Sequence, residues 1–114
     1  MSTYNLDVSN GTSRSILLRV AGEVDMAAAP GVMDAILGAA LSNPTYQVVV
    51  DLDHVTFIDS VGLGALIEAH QRLAEQNMRL VISSPSDAVR RLMTVTGTAD
   101  YLGVAADQPG SIPA

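Results

Sequence analysis

Gln47-Val48-Val49-Val50-Asp51-Leu52, followed after Asp53-His54 by Val55-Thr56-Phe57-Ile58-Asp59-Ser60-Val61-Gly62-Leu63-Gly64, is the stretch whose reading decides the fold. Three consecutive valines leave no polar face, which marks a strand buried on both sides in the middle of a mostly parallel sheet. A loop is expected around Asp53-His54. Beyond it Leu63, Leu66, Ile67, His70 and Leu73 recur on one stripe of a helix that ends near Gln76-Asn77. A buried strand feeding an amphipathic helix is one unit of an α/β domain.

The same alternation extends in both directions. Upstream, Tyr4 to Val8 and Ser15 to Ala21 read as two strands around the turn-forming Asn10-Gly11, so the chain opens with an antiparallel pair. Gly22-Glu23-Val24-Asp25 is expected to break the second strand. Val32, Met33, Ile36, Leu37, Ala40 and Leu41 then recur at helical spacing until Asn43-Pro44 forbids continuation. Downstream, Arg79 to Ser83 is the next strand. Pro85, with Ser84 or Ser86 as the cap, opens a third helix whose inner face is Val89, Leu92, Met93 and Thr96 and which stops at Gly97. Leu102 to Val104 reads as a short strand or helix. The order β-β-α-β-α-β-α with short crossovers predicts a mixed, mostly parallel sheet with an N-terminal antiparallel strand, packed by amphipathic helices.

The chain has 114 residues, 48% of them apolar and 16% charged, which is enough for one modest core and one domain. A domain over residues 1–106 and a loose tail over 107–114, rich in proline and glycine, are expected. The net charge of −6 and the complete absence of lysine argue against nucleic acid, whose binding depends on clustered basic residues. Without cysteine there is no disulfide framework, no thiolate nucleophile and no cysteine-based metal site. Met1 to Asn10 holds no basic segment leading into an apolar run, and no apolar run approaches the roughly 20 residues of a membrane span. A cytoplasmic protein without membrane insertion is the expectation. Met26, Met33, Met78 and Met93 read as core fillers, and His70 as a packed side chain rather than a ligand.

Asp51, Asp53 and Asp59 raise the possibility of an enzyme, because carboxylates gathered after a buried strand can hold Mg²⁺ for phosphotransfer. Receiver domains and aspartate-based phosphohydrolases also use a lysine near the phosphoryl group, and this chain has none. His54 and His70 stand beside no nucleophile-elbow pattern, and no phosphate-binding P-loop motif occurs. No catalytic residue, metal or cofactor is expected. Ser60 instead sits where strand-to-helix loop becomes helix, so its hydroxyl is expected near the surface and near the free N–H groups of the first turn. It reads either as an ordinary helix N-cap or as a modifiable hydroxyl. Asp59 caps the helix, orients the Ser60 hydroxyl or repels a premature partner. Gly62 and Gly64, lacking Cβ, are expected to let a partner backbone approach closely. Asp25 reads equally as a turn residue capping a helix that begins near Ala27 and as part of the same surface.

An Asp-Ser followed by a small residue and Gly-Leu-Gly at a helix start, Asp59 to Gly64, resembles the signature of the STAS domain in anti-sigma factor antagonists. Gly22-Glu23-Val24-Asp25 with Pro30, and Ser84-Pro85 followed by Val89, Arg91-Leu92 and Thr96-Gly97, are similar to other segments of that family, so the likeness covers roughly residues 4 to 105. The resemblance implies a partner switch. The unphosphorylated domain binds an anti-sigma factor that is itself a Ser/Thr kinase, frees the sigma factor, and loses the kinase when Ser60 is phosphorylated. A Ser/Thr phosphatase restores it. Asp25, Asp59, Ser60, Gly62, Leu63 and Gly64 form the implied docking patch, and a monomer is implied. The position after the phosphoacceptor often carries a hydroxyl in the family and is Val61 here. A STAS scaffold subunit of a membrane transporter or lipid-transport assembly is the alternative, and a nucleotide-binding domain a weaker third.

Overall fold

The computed structural model describes residues 4–10, 14–44 and 46–98. The expected turn at Gly11, the element at Leu102 to Val104 and the tail 107–114 lie outside the described residues. Within them the order is β1 (Tyr4–Asn10), β2 (Ser15–Val24), α1 (Ala29–Ser42), β3 (Gln47–Ile58), α2 (Ser60–Glu75), β4 (Leu80–Ser83) and α3 (Asp87–Thr96). The strands form one sheet in the order β1-β2-β3-β4, with β1 antiparallel to β2 and the pairs β2–β3 and β3–β4 parallel. This is the predicted α/β architecture.

Each parallel step moves one strand further across the sheet, so right-handed crossovers put α1 and α2 side by side on one face. Leu18 and Val20 of β2, Val48 and Val50 of β3, and Leu80 and Ile82 of β4 are buried in one cluster with Val32 and Ile36 of α1 and Leu63, Leu66 and Leu73 of α2. Alanines Ala40 and Ala69, fully buried in that cluster, let the two helices approach closely. α3 adds Val89 and Met93 to the cluster and docks beside β3, where Ser86 N–H donates to the Leu52 carbonyl. Ser86, not Ser84, caps α3, its Oγ accepting from Val89 N–H.

Several expectations are corrected. Asp53-His54 is strand, not loop: β3 runs twelve residues, from Gln47 to Ile58. Two residues of β2 (Arg19 to Ala21) advance while three of β3 (Asp51 to His54) do, and a second irregularity follows between Gly22 and Glu23. Such bulges insert residues without ending a ladder, and they add twist. Gly22-Glu23-Val24 likewise continues β2 rather than breaking it, and Gly22 takes the positive φ of 96° that the irregularity requires. Leu41, placed on the inner face of α1 by its spacing, is 64% exposed, and Thr96 turns its hydroxyl back to the Leu92 and Met93 carbonyls at the exposed end of α3. In the last turn of α1 the inner position is taken by the fully buried Ala40, which leaves Leu41 outside, and Thr96 lies beyond Met93, the last buried residue of α3. No helix among the described residues is long and apolar enough to cross a membrane.

Candidate functional site

The bulged, twisted end of β3 delivers Ile58-Asp59-Ser60 to the start of α2, next to the point where β2 leaves the sheet. Val24 pairs with Ile58 in the ladder, and Asp59 N–H then donates to the Val24 carbonyl at 3.3 Å. Two segments more than thirty residues apart in sequence are thereby joined: the turn Asp25 to Ala28 that precedes α1, and the first turn of α2.

Asp59 is the joint. It is the N-cap of α2, with extended backbone, and one carboxylate oxygen accepts from Gly62 N–H at 2.7 Å. The other oxygen accepts from Met26 N–H at 3.1 Å. Of the three roles open to it from sequence, capping is the one the geometry assigns. Ser60 is therefore not the cap. It is the first residue of α2, it is exposed, and no hydrogen bond engages its hydroxyl. A carboxylate accepts a cap bond more strongly than a hydroxyl does, so Asp59 frees Ser60 from structural duty.

Asp25 caps its own turn, its Oδ1 accepting from Ala28 N–H at 3.1 Å while its carbonyl accepts from Ala28 and Ala29. It lies beside Asp59 through its neighbours Val24 and Met26, but it does not cap α1, which starts at Ala29 rather than near Ala27 and has Ala28 as its N-cap with no side-chain cap bond. Gly62 and Leu63 are buried. The absent side chain of Gly62 is used inside the molecule: a Cβ there would overlap the Val24 carbonyl oxygen. Gly64, by contrast, is exposed and has nothing within 4 Å of where a Cβ would stand. It lies one helical turn from Ser60, on the same side of α2, and opens onto a groove between α1 and α2 lined by Met26, Pro30, Met33, Val61 and Ala65.

Three exposed apolar side chains in the segments flanking this junction are not read as surface from the sequence. Met26 is 67% exposed, Phe57 49% and Val61 45%. Met26 is not a core filler, as its type had suggested; it stands at the apex of the Asp25–Ala28 turn with its N–H tied to Asp59. Met33 and Met78 are half-buried and Met93 is buried. The groove is acidic, with Asp34 and Glu68 against Arg72, which is itself paired with Glu68 at 2.6 Å, and Asp25 stands in the turn beside Met26.

The carboxylates that raised the enzyme question do not converge. Asp51 pairs with Arg19 at 3.3 Å and accepts from Asp53 N–H, while Asp59 lies eight residues along β3 and beyond, on the order of 25 Å away at the usual rise of a strand. No group of three His, Asp or Glu side chains among the described residues is arranged to hold a metal ion.

A model of the STAS domain matches residues 4–108. The chain belongs to the STAS domain family. An anti-sigma-B factor antagonist of Listeria monocytogenes is 30% identical over 88% of this chain and 87% of its own length. The crystal structure of an anti-sigma factor antagonist from Mycobacterium paratuberculosis superposes with a TM-score of 0.78 at 27% identity, covering 94% of this STAS domain and 89% of that chain. The antagonist SpoIIAA in its unphosphorylated form shares the fold at a TM-score of 0.72 and 20% identity, over 94% of this chain and 93% of its own. The resemblance seen in Asp59 to Gly64 therefore extends through the whole STAS domain. Antagonism of an anti-sigma factor, the activity in those relatives' names, is a binding function rather than a chemical transformation.

Proposed function

We propose that this STAS domain is a cytoplasmic anti-sigma factor antagonist that binds an anti-sigma Ser/Thr kinase, releases the sigma factor, and is switched off by phosphorylation of Ser60. The observation that carries the reading is the division of labour at the start of α2. Asp59 holds the cap, so Ser60 is exposed with its hydroxyl unengaged, next to a groove lined by the exposed Met26 and Val61.

Phosphorylation at this position leaves the fold intact, because no native hydrogen bond of Ser60 is lost and the phosphate sits at the positive end of the α2 dipole. It adds about 1.5 to 2 negative charges at one spot. The face is already acidic, so any long-range attraction to a basic partner grows rather than falls on phosphorylation. Loss of binding must come from the contact itself: a phosphate pressed against Met26 and Val61 has to surrender its hydration without a compensating partner. Each tenfold loss of affinity needs only about 1.4 kcal/mol. A Ser/Thr phosphatase acting on Ser60 reverses the switch.

The reading is tested by intact-mass analysis with site mapping on protein isolated from growing and from stressed host cells. One phosphate at Ser60 that varies with condition supports it. Ser60 unmodified throughout, with a permease or ATPase subunit co-purifying, overturns it in favour of a STAS scaffold in a transport assembly.

A further inference from the structure

Met26 owes its place to a residue that is remote in sequence. The turn Asp25–Ala28 is closed at one end by its own bonds, Asp25 Oδ1 and carbonyl to Ala28 N–H. At its apex the one side chain among the described residues that bonds it is Asp59, through Met26 N–H. The Met26 side chain is left 67% exposed at the mouth of the groove that Val61 and Gly64 share. An exposed methionine at a turn apex is costly to leave in water, and it offers a flexible apolar anchor to a partner. A kinase that transfers phosphate to Ser60 must cover the residues within a few ångströms of its hydroxyl, and Asp59, the residue before Ser60, bonds directly to the Met26 backbone.

We propose that Asp59 is a positioning residue for partner recognition: by holding Met26 N–H it fixes the Asp25–Ala28 turn so that Met26 and Ser60 are read by the anti-sigma kinase as one epitope. This rests on the function proposed above and adds to it the residue that assembles the epitope. The two carboxylate oxygens have separable tasks. Asn at position 59 keeps one oxygen for Gly62 N–H and is as good a cap as Asp, but its second group is an amide NH₂, a donor, facing the Met26 donor. Asp59→Asn thus retains the cap and cuts the link to the turn.

The test has two arms. Amide exchange followed by NMR in wild type and Asp59→Asn is expected to show Gly62 N–H still protected and Met26 N–H exchanging roughly tenfold faster. Affinity is then measured by calorimetry for a purified Ser/Thr-kinase anti-sigma factor of the host, loaded with a non-hydrolysable ATP analogue so that Ser60 stays unmodified. Met26→Ala and Asp59→Asn are each expected to weaken binding roughly tenfold, and the double variant no further than the weaker single, because without Met26 there is no anchor left to misplace. Unchanged exchange at Met26, or losses that multiply to roughly a hundredfold in the double variant, overturn the inference while leaving the wild-type interaction standing. Wild-type protein that does not bind the kinase overturns the proposed function, and this inference with it.

Discussion

The carbonyl oxygen of Val24, at the end of β2, occupies the space in which any side chain at position 62 would begin. Gly62 is thus a contact between the first turn of α2 and the strand that leads into α1. It belongs to the same junction as the bonds from Asp59 to Val24, Met26 and Gly62.

Substituting Gly62→Ala forces a methyl group onto backbone, which cannot step aside as a side-chain tip can. A loss of about 1–3 kcal/mol is expected, read as a fall in Tm of several degrees. Gly64→Ala meets open space within a helix and is expected to gain about 0.5–1 kcal/mol. The pair, measured side by side by thermal unfolding, separates an internal glycine from a surface one. If Gly64 is part of the docking patch, Gly64→Ala lowers partner affinity while raising Tm.

Removing both bonds of the cap is a different experiment from removing one. Asp59→Ala leaves Gly62 N–H and Met26 N–H without their acceptor, and a loss of about 1–2 kcal/mol is expected from the cap alone. Urea unfolding should show a lower midpoint with an unchanged slope, since the surface exposed on unfolding is the same. Stability equal to wild type would mean that water replaces the carboxylate at no cost.

Because the Ser60 hydroxyl makes no bond in the fold, Ser60→Ala is expected to leave Tm within about 0.5 kcal/mol of wild type, the usual range for a surface change, and to hold kinase binding permanently. Ser60→Asp should weaken binding by tenfold or more at equal stability. Calorimetric titration that finds both variants binding equally would count against charge as the switch.

In the first half of β3, Asp51 pairs with Arg19 and accepts from Asp53 N–H. Its partner Arg19 has 58% of its side chain in solvent, so Asp51→Asn is expected to cost no more than about 1 kcal/mol and to leave partner binding unchanged. A large loss of kinase affinity in Asp51→Asn, measured by the same titration, would mean that the docking surface spreads along β3 far beyond the α2 terminus.

What was legible in the chain was whatever repeats locally. Val48-Val49-Val50 is strand as read, though fully buried on one face only, since Val49 is half-buried on the other; the apolar spacing of α1 and α2 marks helix, and short connections between them leave a parallel sheet as the economical arrangement. Asp59 to Gly64, read as a motif, points to the STAS family by itself. Boundaries were less legible. Asp53-His54 is polar enough to read as loop, yet the ladder with β2 carries it as strand, because pairing with Ala21 outweighs local propensity.

Tertiary structure alone decided how the motif's residues divide their work. Asp59 rather than Ser60 caps α2, Gly62 is spent inside against Val24, and Met26 stands in solvent instead of the core. None of these follows from spacing, because each depends on bringing residues 24–26 against 59–62. That contact is fixed by the register of β2 on β3 and by the bulges that turn their ends together. Periodicity reports which face of an element meets the core; which distant residue stands opposite, and so which hydroxyl is left free, is settled only when the strands pair.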